Sequence, residues 1–355
     1  MKFERAYWAV LALTVIQFCY WMHQFGPHIP ALVDYAARIL NGHPDWRALQ
    51  NRVLGPFILI YWFGWLPAPL PIFTAVFLGL CNFLFYRVAR EITGGPITSL
   101  LCLAVYILVW LFLFSKLSFT FDLIEMSVLI WFFRAAVLKP GAGIFDATVI
   151  YLFLIQLLNR ESALFLAAYL GLCGVLRLIL NDGRRLAWRE FAWGGGLFVA
   201  GAALIEYVRK KFFIMGPIAR AGADLKHRHF ENFIIYHKNM VFYFVDLHGG
   251  WKLAKAPVFL VFLVATHLLI TLVGLVRKRA SVAAYGAAMT LYSAAIFFTA
   301  ELEETRVMQI LVPPVVLAVA WIVVHTVWYI RTKIKQVFRF REVFFLKKEA
   351  KTFDS

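Results

Sequence analysis

Charge is scarce in this chain, and acid is scarcer than base. Only 16% of the 355 residues are Asp, Glu, Lys or Arg, against ~25% in a soluble domain. A water-soluble surface cannot be built from so little, which excludes a soluble enzyme carried on one anchor. Cysteine is equally sparse: Cys19, Cys81, Cys102 and Cys173 lie in apolar runs with no CxxC spacing. That pattern supports neither a disulfide framework nor a zinc site. No glycine-rich phosphate loop is present, because Gly194-Gly195-Gly196 sits in an apolar run with no following Lys-Ser/Thr. The three glycines are expected to be a close-packing site between helices. Polar-apolar alternation is absent as well, which excludes an outer-membrane barrel.

What the chain has is apolar bulk: 62% hydrophobic residues and a mean hydropathy of +0.74. That is enough for about ten spans of ~20 residues. Apolar runs fall at about 7–23, 71–87, 97–114, 122–138, 144–158, 162–180, 191–208, 256–276, 281–299 and 307–330. Residues 53–66 are apolar but short, and Pro67, Pro69 and Pro71 follow, so an interfacial or re-entrant segment is expected there. The fold class expected is an all-α polytopic membrane protein of about ten transmembrane helices, with juxtamembrane helices on its outer face. Residues 1–331 form one transmembrane domain with outward loops at 24–70 and 209–255. Residues 332–355 form a basic tail whose Val337, Phe340 and Phe344 recur at helical spacing, as in an amphipathic helix on the inner leaflet.

The net charge of +16 would suggest nucleic acid in a soluble protein. In a membrane protein it suggests positively charged cytoplasmic loops and anionic headgroups, and no nucleic acid is expected. With both termini inside, 21 of the 36 Lys and Arg face the cytoplasm and 15 lie outside. Segment 209–255, with nine Lys or Arg and three acids, is long enough to escape the positive-inside rule. Arg52, Arg160 and Arg306 lie in short segments at or near membrane ends and do not escape it.

Two readings of these arginines stand side by side. Each pairs with an acid, Arg160 with Glu161 or a facing helix and Arg306 with Glu303 or Glu304. Alternatively they converge, with Lys210 and other basic residues of segment 209–255, on an anionic ligand, because guanidinium forks match phosphate oxygens. Among the acids, Asp34 lies shortly after the first span, where a carboxylate can take a proton from an acceptor hydroxyl. Asp45 in the same loop is the alternative, and helix capping or solvation is the competing role for both. Asp122 and Glu125 open the fourth span and either line the same cavity or serve packing. His227, His229 and His237 have no partner at a metal-ligand spacing, so no metal site is assigned.

The order of these motifs resembles the GT-C superfamily of polyprenyl-phosphate-sugar-dependent glycosyltransferases. The matching stretches are Asp34-Tyr35-Ala36-Ala37 through Gly42 and Arg52-Val53-Leu54-Gly55-Pro56. Further on come Phe121-Asp122-Leu123, Asn159-Arg160-Glu161-Ser162 and Glu304-Thr305-Arg306. The resemblance implies a glycosyltransferase of the bacterial inner membrane with Asp34 catalytic. Arg52, Arg160, Glu161, Glu304, Arg306, Lys210 and Asp122 would then bind substrate. It implies a polyprenyl-phosphate-linked sugar as donor substrate with no separate cofactor, a divalent metal being left open, and membrane lipids and other envelope-assembly proteins as partners. An O-antigen polymerase or ligase, and a transporter or flippase of an anionic lipid or solute, remain as alternatives.

The charge distribution makes a topological prediction. A green fluorescent protein fused after Ser355 is expected to fluoresce, and an alkaline phosphatase fused there to be inactive. Phosphatase inserted within segment 209–255 is expected to be active, and the reverse pattern would overturn the orientation.

Overall fold

The computed structural model describes residues 5–43, 53–113, 120–139, 147–212, 255–299 and 308–327. Among these residues every regular element is helical and no strand occurs. Helix α1 (Arg5–Phe25) passes through a short turn at Gly26–His28 into α2 (Ile29–Leu40). Residues 53–66 form no long helix: the four-residue α3 (Leu54–Phe57) runs into a π turn at Ile58–Trp62. Then come α4 (Pro69–Thr93), α5 (Pro96–Phe112) and α6 (Asp122–Phe133), which ends in a π turn at Arg134–Leu138. Helices α7 (Ala147–Leu157), α8 (Ala163–Ile179), α9 (Arg184–Phe212), α10 (Lys255–Val276), α11 (Ala280–Thr299) and α12 (Val312–Val327) follow among the described residues.

A helix stands in each of the ten apolar runs. Helix α4, Arg184–Val208 of α9 and Phe259–Val276 of α10 are long and apolar enough to cross a membrane. Shorter apolar helices are α5, α8, α12, Thr148–Leu157 of α7 and Ala280–Ile296 of α11. Helix α9 differs from the expected run at both ends. It starts at Arg184, directly after Gly183 at φ 73°, and continues through Lys210 to Phe212, so residues 209–212 are helix and not loop. Residues 213–254 and the tail 332–355 lie outside the described residues.

Side-chain contacts give the direction of each neighbour. Asn82 on α4 donates to Thr14 Oγ1 (3.0 Å) and Gln17 Oε1 (2.9 Å), while Tyr7 packs edge-on against Tyr86, so α1 and α4 are antiparallel. Helices α4 and α6 run parallel: Phe73 meets Phe121, Cys81 bonds Ser127, and Glu91 bonds Arg134. The polar pairs matter because lipid supplies no hydrophobic drive between helices, and close packing and hydrogen bonds must hold them instead.

Small residues form the tightest seams. A Cβ on Gly174 would lie 2.5 Å from the Ala187 carbonyl oxygen, and one on Gly194 would run into the Gly171 backbone. The backbones of α8 and α9 therefore touch, as the Gly194-Gly195-Gly196 run predicts. Gly195 and Gly196 have open space beside them, so Gly194 carries the seam. Helices α10 and α11 repeat the device at Gly274 against Ala283 and at Gly286 against Thr271.

Two ends of the bundle follow from these directions. One gathers Glu91, Arg134 and Lys139, with Glu91 between the two cations at 2.8 and 3.7 Å. The other gathers α2, α3, the start of α6 and the α7–α8 turn. There Ile39 of α2 packs with Val53 and with Val208 of α9.

The seam is testable. Gly194→Val is expected to destabilise the protein by about 1–3 kcal/mol through forced separation of α8 and α9. Gly196→Ala, with open space beside it, is expected to stay within ~0.5 kcal/mol or to stabilise slightly. Unfolding in mixed detergent, followed by helical circular dichroism, separates the two; equal effects would contradict the seam.

Candidate functional site

At the end of the bundle opposite Glu91, a buried carboxylate organises the surroundings. Glu125, in the first turn of α6, is fully buried. A lone carboxylate there would be strongly unfavourable, and three donors compensate it. Arg160 Nη1 donates to Oε2 at 3.0 Å, Tyr292 OH donates to Oε1 at 2.6 Å, and the Ser162 hydroxyl donates to Oε1. These donors come from the five-residue turn 158–162 between α7 and α8 and from α11.

The turn is held in place from both sides. Gln156 Nε2 donates to Ser162 Oγ at 2.6 Å. The backbone N–H groups of Val53 and Leu54 both donate to the Leu158 carbonyl, at 3.1 and 2.9 Å. Gly55, in the next turn of chain, lies so close to Phe121 that a Cβ would sit 2.5 Å from its ring. A larger residue at 55 would push α3 off the start of α6. Phe165 stacks on Tyr292 with ring centroids 4.6 Å apart, which fixes the direction of the phenol.

Arg160 is only 16% exposed and makes its ion pairs through one nitrogen. Nη1 faces Glu125 at 3.0 Å and Asp122 Oδ1 at 3.6 Å. Its Nε and Nη2 have no bond to a described residue. Burial works against its charge, but Glu125 foremost, with Tyr292, Asp122 and Glu161, raises its pKa above the usual arginine value. The guanidinium is therefore a permanent cation, with Nη1 committed and the Nε–Nη2 edge without a partner among the described residues. With Asp122 and Glu125 beside it, one positive charge stands against two carboxylates.

Asp34 occupies a different setting. It lies inside α2, where Leu32, Ala36 and Ile39 face inward, and it pairs with Arg38 one turn later. Both side chains are about half exposed, at 55% and 48%. Asp34 is thus a helix-face acid rather than a cap or a loop acid. Lys210 is an exposed residue near the end of α9, two positions beyond Val208. Asp45, Arg52, Glu304 and Arg306 lie outside the described residues, as do His227, His229 and His237.

Three stretches far apart in sequence therefore meet: Val53–Gly55, Phe121–Glu125 and Asn159–Ser162. Of the two readings open for Arg160, the facing-helix pairing is present, with Glu125 of α6 as the partner. Two members were not singled out from sequence, Gln156 and Tyr292. Each is a polar group within an apolar run, and that is the signal by which they can be found. Among the described residues no group of three or more His, Cys, Asp or Glu is placed to hold a metal ion. Comparison with models of protein families, with curated proteins and with solved structures finds no match.

The network predicts unequal losses. Arg160→Ala strands Glu125 and is expected to cost about 3–5 kcal/mol of stability. Tyr292→Phe removes one bond to a charged acceptor and is expected to cost about 1.5–3 kcal/mol. Glu125→Gln with Arg160→Met is expected to recover part of the Arg160→Ala loss. Detergent unfolding midpoints check the order, and additive losses in the double variant would show that the pair is not coupled.

Proposed function

We propose that the chain is an integral-membrane glycosyltransferase of GT-C type. It moves a sugar from a polyprenyl-phosphate-linked donor to a lipid or cell-envelope glycan acceptor. In this reading it crosses the bacterial inner membrane about ten times, keeps both termini in the cytoplasm and works at the extracytoplasmic face. The observation that carries the reading is Arg160: a buried guanidinium, paired through Nη1 with Glu125 and Asp122 and with no described partner at Nε and Nη2, in the turn whose Leu158 carbonyl is bonded by Val53 and Leu54. Guanidinium donors left over from an ion pair favour a ligand that brings hydrogen-bond acceptors such as phosphate oxygens.

The chemistry divides among the residues as follows. Asp34, exposed on α2, takes the proton from the acceptor hydroxyl, with Arg38 orienting it; Asp45 is the alternative base. The acceptor oxygen forms a bond to the anomeric carbon as the bond from that carbon to the phosphate oxygen breaks. The polyprenyl phosphate leaves with the electron pair, and its developing charge requires cations already in place. Arg160 is countered by two carboxylates, so charge matching falls to Arg52, Arg306 and Lys210. Arg160 contributes directed donors through Nε and Nη2, while Asp122, Glu161 and Glu304 orient the guanidiniums beside them.

Transfer from a lipid-linked donor by the purified chain tests this. Asp34→Asn and Asp34→Ala are expected to lower kcat by at least ~100-fold, the usual yield of a general base. Wild-type turnover in both would falsify the role of Asp34.

A further inference from the structure

Three buried polar atoms in the residues around the Glu125–Arg160 pair have no hydrogen-bond partner among the described residues: Gln156 Oε1, Asn159 Oδ1 and Thr120 Oγ1. Their residues are 0%, 3% and 4% exposed. Buried groups of this kind are normally satisfied, so each orphan needs an explanation.

Rearranging the bonds around Ser162 does not satisfy Gln156. Glu125 accepts from Arg160, Tyr292 and Ser162. A serine hydroxyl has one proton, and that of Ser162 is spent on Glu125. Ser162 Oγ is left only to accept, which fixes the Gln156 amide with Nε2 toward it and Oε1 away. Turning the amide over would set two acceptors against each other. The backbone near the other orphans is already engaged: Asn159 N–H donates to the Gln156 carbonyl at 2.9 Å, and the Thr120 carbonyl accepts from Leu123 N–H at 3.2 Å.

The site therefore presents two carbonyl acceptors that require donors and one hydroxyl that can do either. In the same turn lies the Arg160 edge that no described residue bonds. A bare phosphate ester supplies only acceptors and leaves both carbonyls orphaned. A simple cation serves the carbonyls but brings no acceptor for the arginine donors. A polyol joined to an anionic group matches both halves: its hydroxyls donate to the amide oxygens, and its phosphate accepts from the arginine edge.

We propose that Thr120, Gln156 and Asn159 form a hydroxyl-reading subsite that holds the sugar of a sugar-phosphate ligand, with the phosphate toward Arg160. The proposal rests on the glycosyltransferase reading and adds to it the residues that distinguish a glycosylated lipid from its bare carrier. Selectivity of this kind comes from leaving buried acceptors unpaired when the wrong ligand enters.

The test compares two probes, a polyprenyl-phosphate hexose and the same polyprenyl phosphate without sugar. Each is titrated onto the full chain in lipid nanodiscs by calorimetry. The wild-type chain is expected to bind the glycosylated lipid ~10-fold tighter, the effect of about one well-made hydrogen bond to a buried group. Asn159→Leu and Thr120→Val are each expected to reduce that preference to below about threefold, with affinity for the bare carrier unchanged. Thr120→Val preserves side-chain shape, so it carries the test if Asn159→Leu does not elute as a monodisperse protein. Equal wild-type binding of the two lipids overturns the subsite and leaves the glycosyltransferase reading standing. So does a preference that survives in every variant that folds. Binding of neither lipid overturns both.

Discussion

The carboxylate of Glu125 is buried where neither water nor lipid can solvate it, and much of the described architecture at that end of the bundle answers this one constraint. An ionised side chain in such a place persists only if donors are delivered to it in fixed positions. Arg160, Ser162 and Tyr292 deliver them from a turn and from a helix far along the chain. To hold the turn, Gln156 bonds Ser162, and the backbone of Val53 and Leu54 caps the Leu158 carbonyl. Gly55 in turn lets that backbone lie against Phe121 at the start of α6. One buried charge thus ties α3, α6, α7, α8 and α11 into a single local arrangement.

Away from that end, the helices are held by packing devices suited to an apolar solvent. Gly174 and Gly194 let α8 and α9 meet backbone to backbone, and Gly274 and Gly286 do the same for α10 and α11. Asn82 reaches across from α4 to Thr14 and Gln17 on α1, and Cys81 reaches to Ser127 on α6. These contacts place the helices that carry the polar cluster without adding charge to the interior. Other ion pairs among the described residues lie elsewhere: Asp34 with Arg38, Glu91 with Arg134 and Lys139, and Arg177 with Asp182 and Glu190.

Much of this was legible from residue order, because hydropathy and turn chemistry act locally. The ten apolar runs each contain a helix, the proline-flanked run at 53–66 does not form a long one, and the glycine run at 194 marks a helix seam. Asp122 and Arg160 were recognisable as polar groups near span ends and prove to be neighbours, 3.6 Å apart. Asp34 was recognisable too, but its setting was not: it lies on the exposed face of α2, tied to Arg38. Gln156 and Tyr292 escaped notice because one amide or phenol barely changes the mean hydropathy of its run.

The sequence alone determined that this chain is rich in apolar runs and that those runs carry helices. Those properties add up residue by residue, and a chain cannot conceal them. Only the tertiary structure decided which acid answers Arg160, which acceptors stay unpaired and which glycine touches its neighbour. Glu125 is 35 positions from Arg160 and 167 from Tyr292, and several apolar faces along the chain look alike. Pairing among them is settled by the packing of whole helices, where shape and a few polar contacts discriminate and local pattern does not.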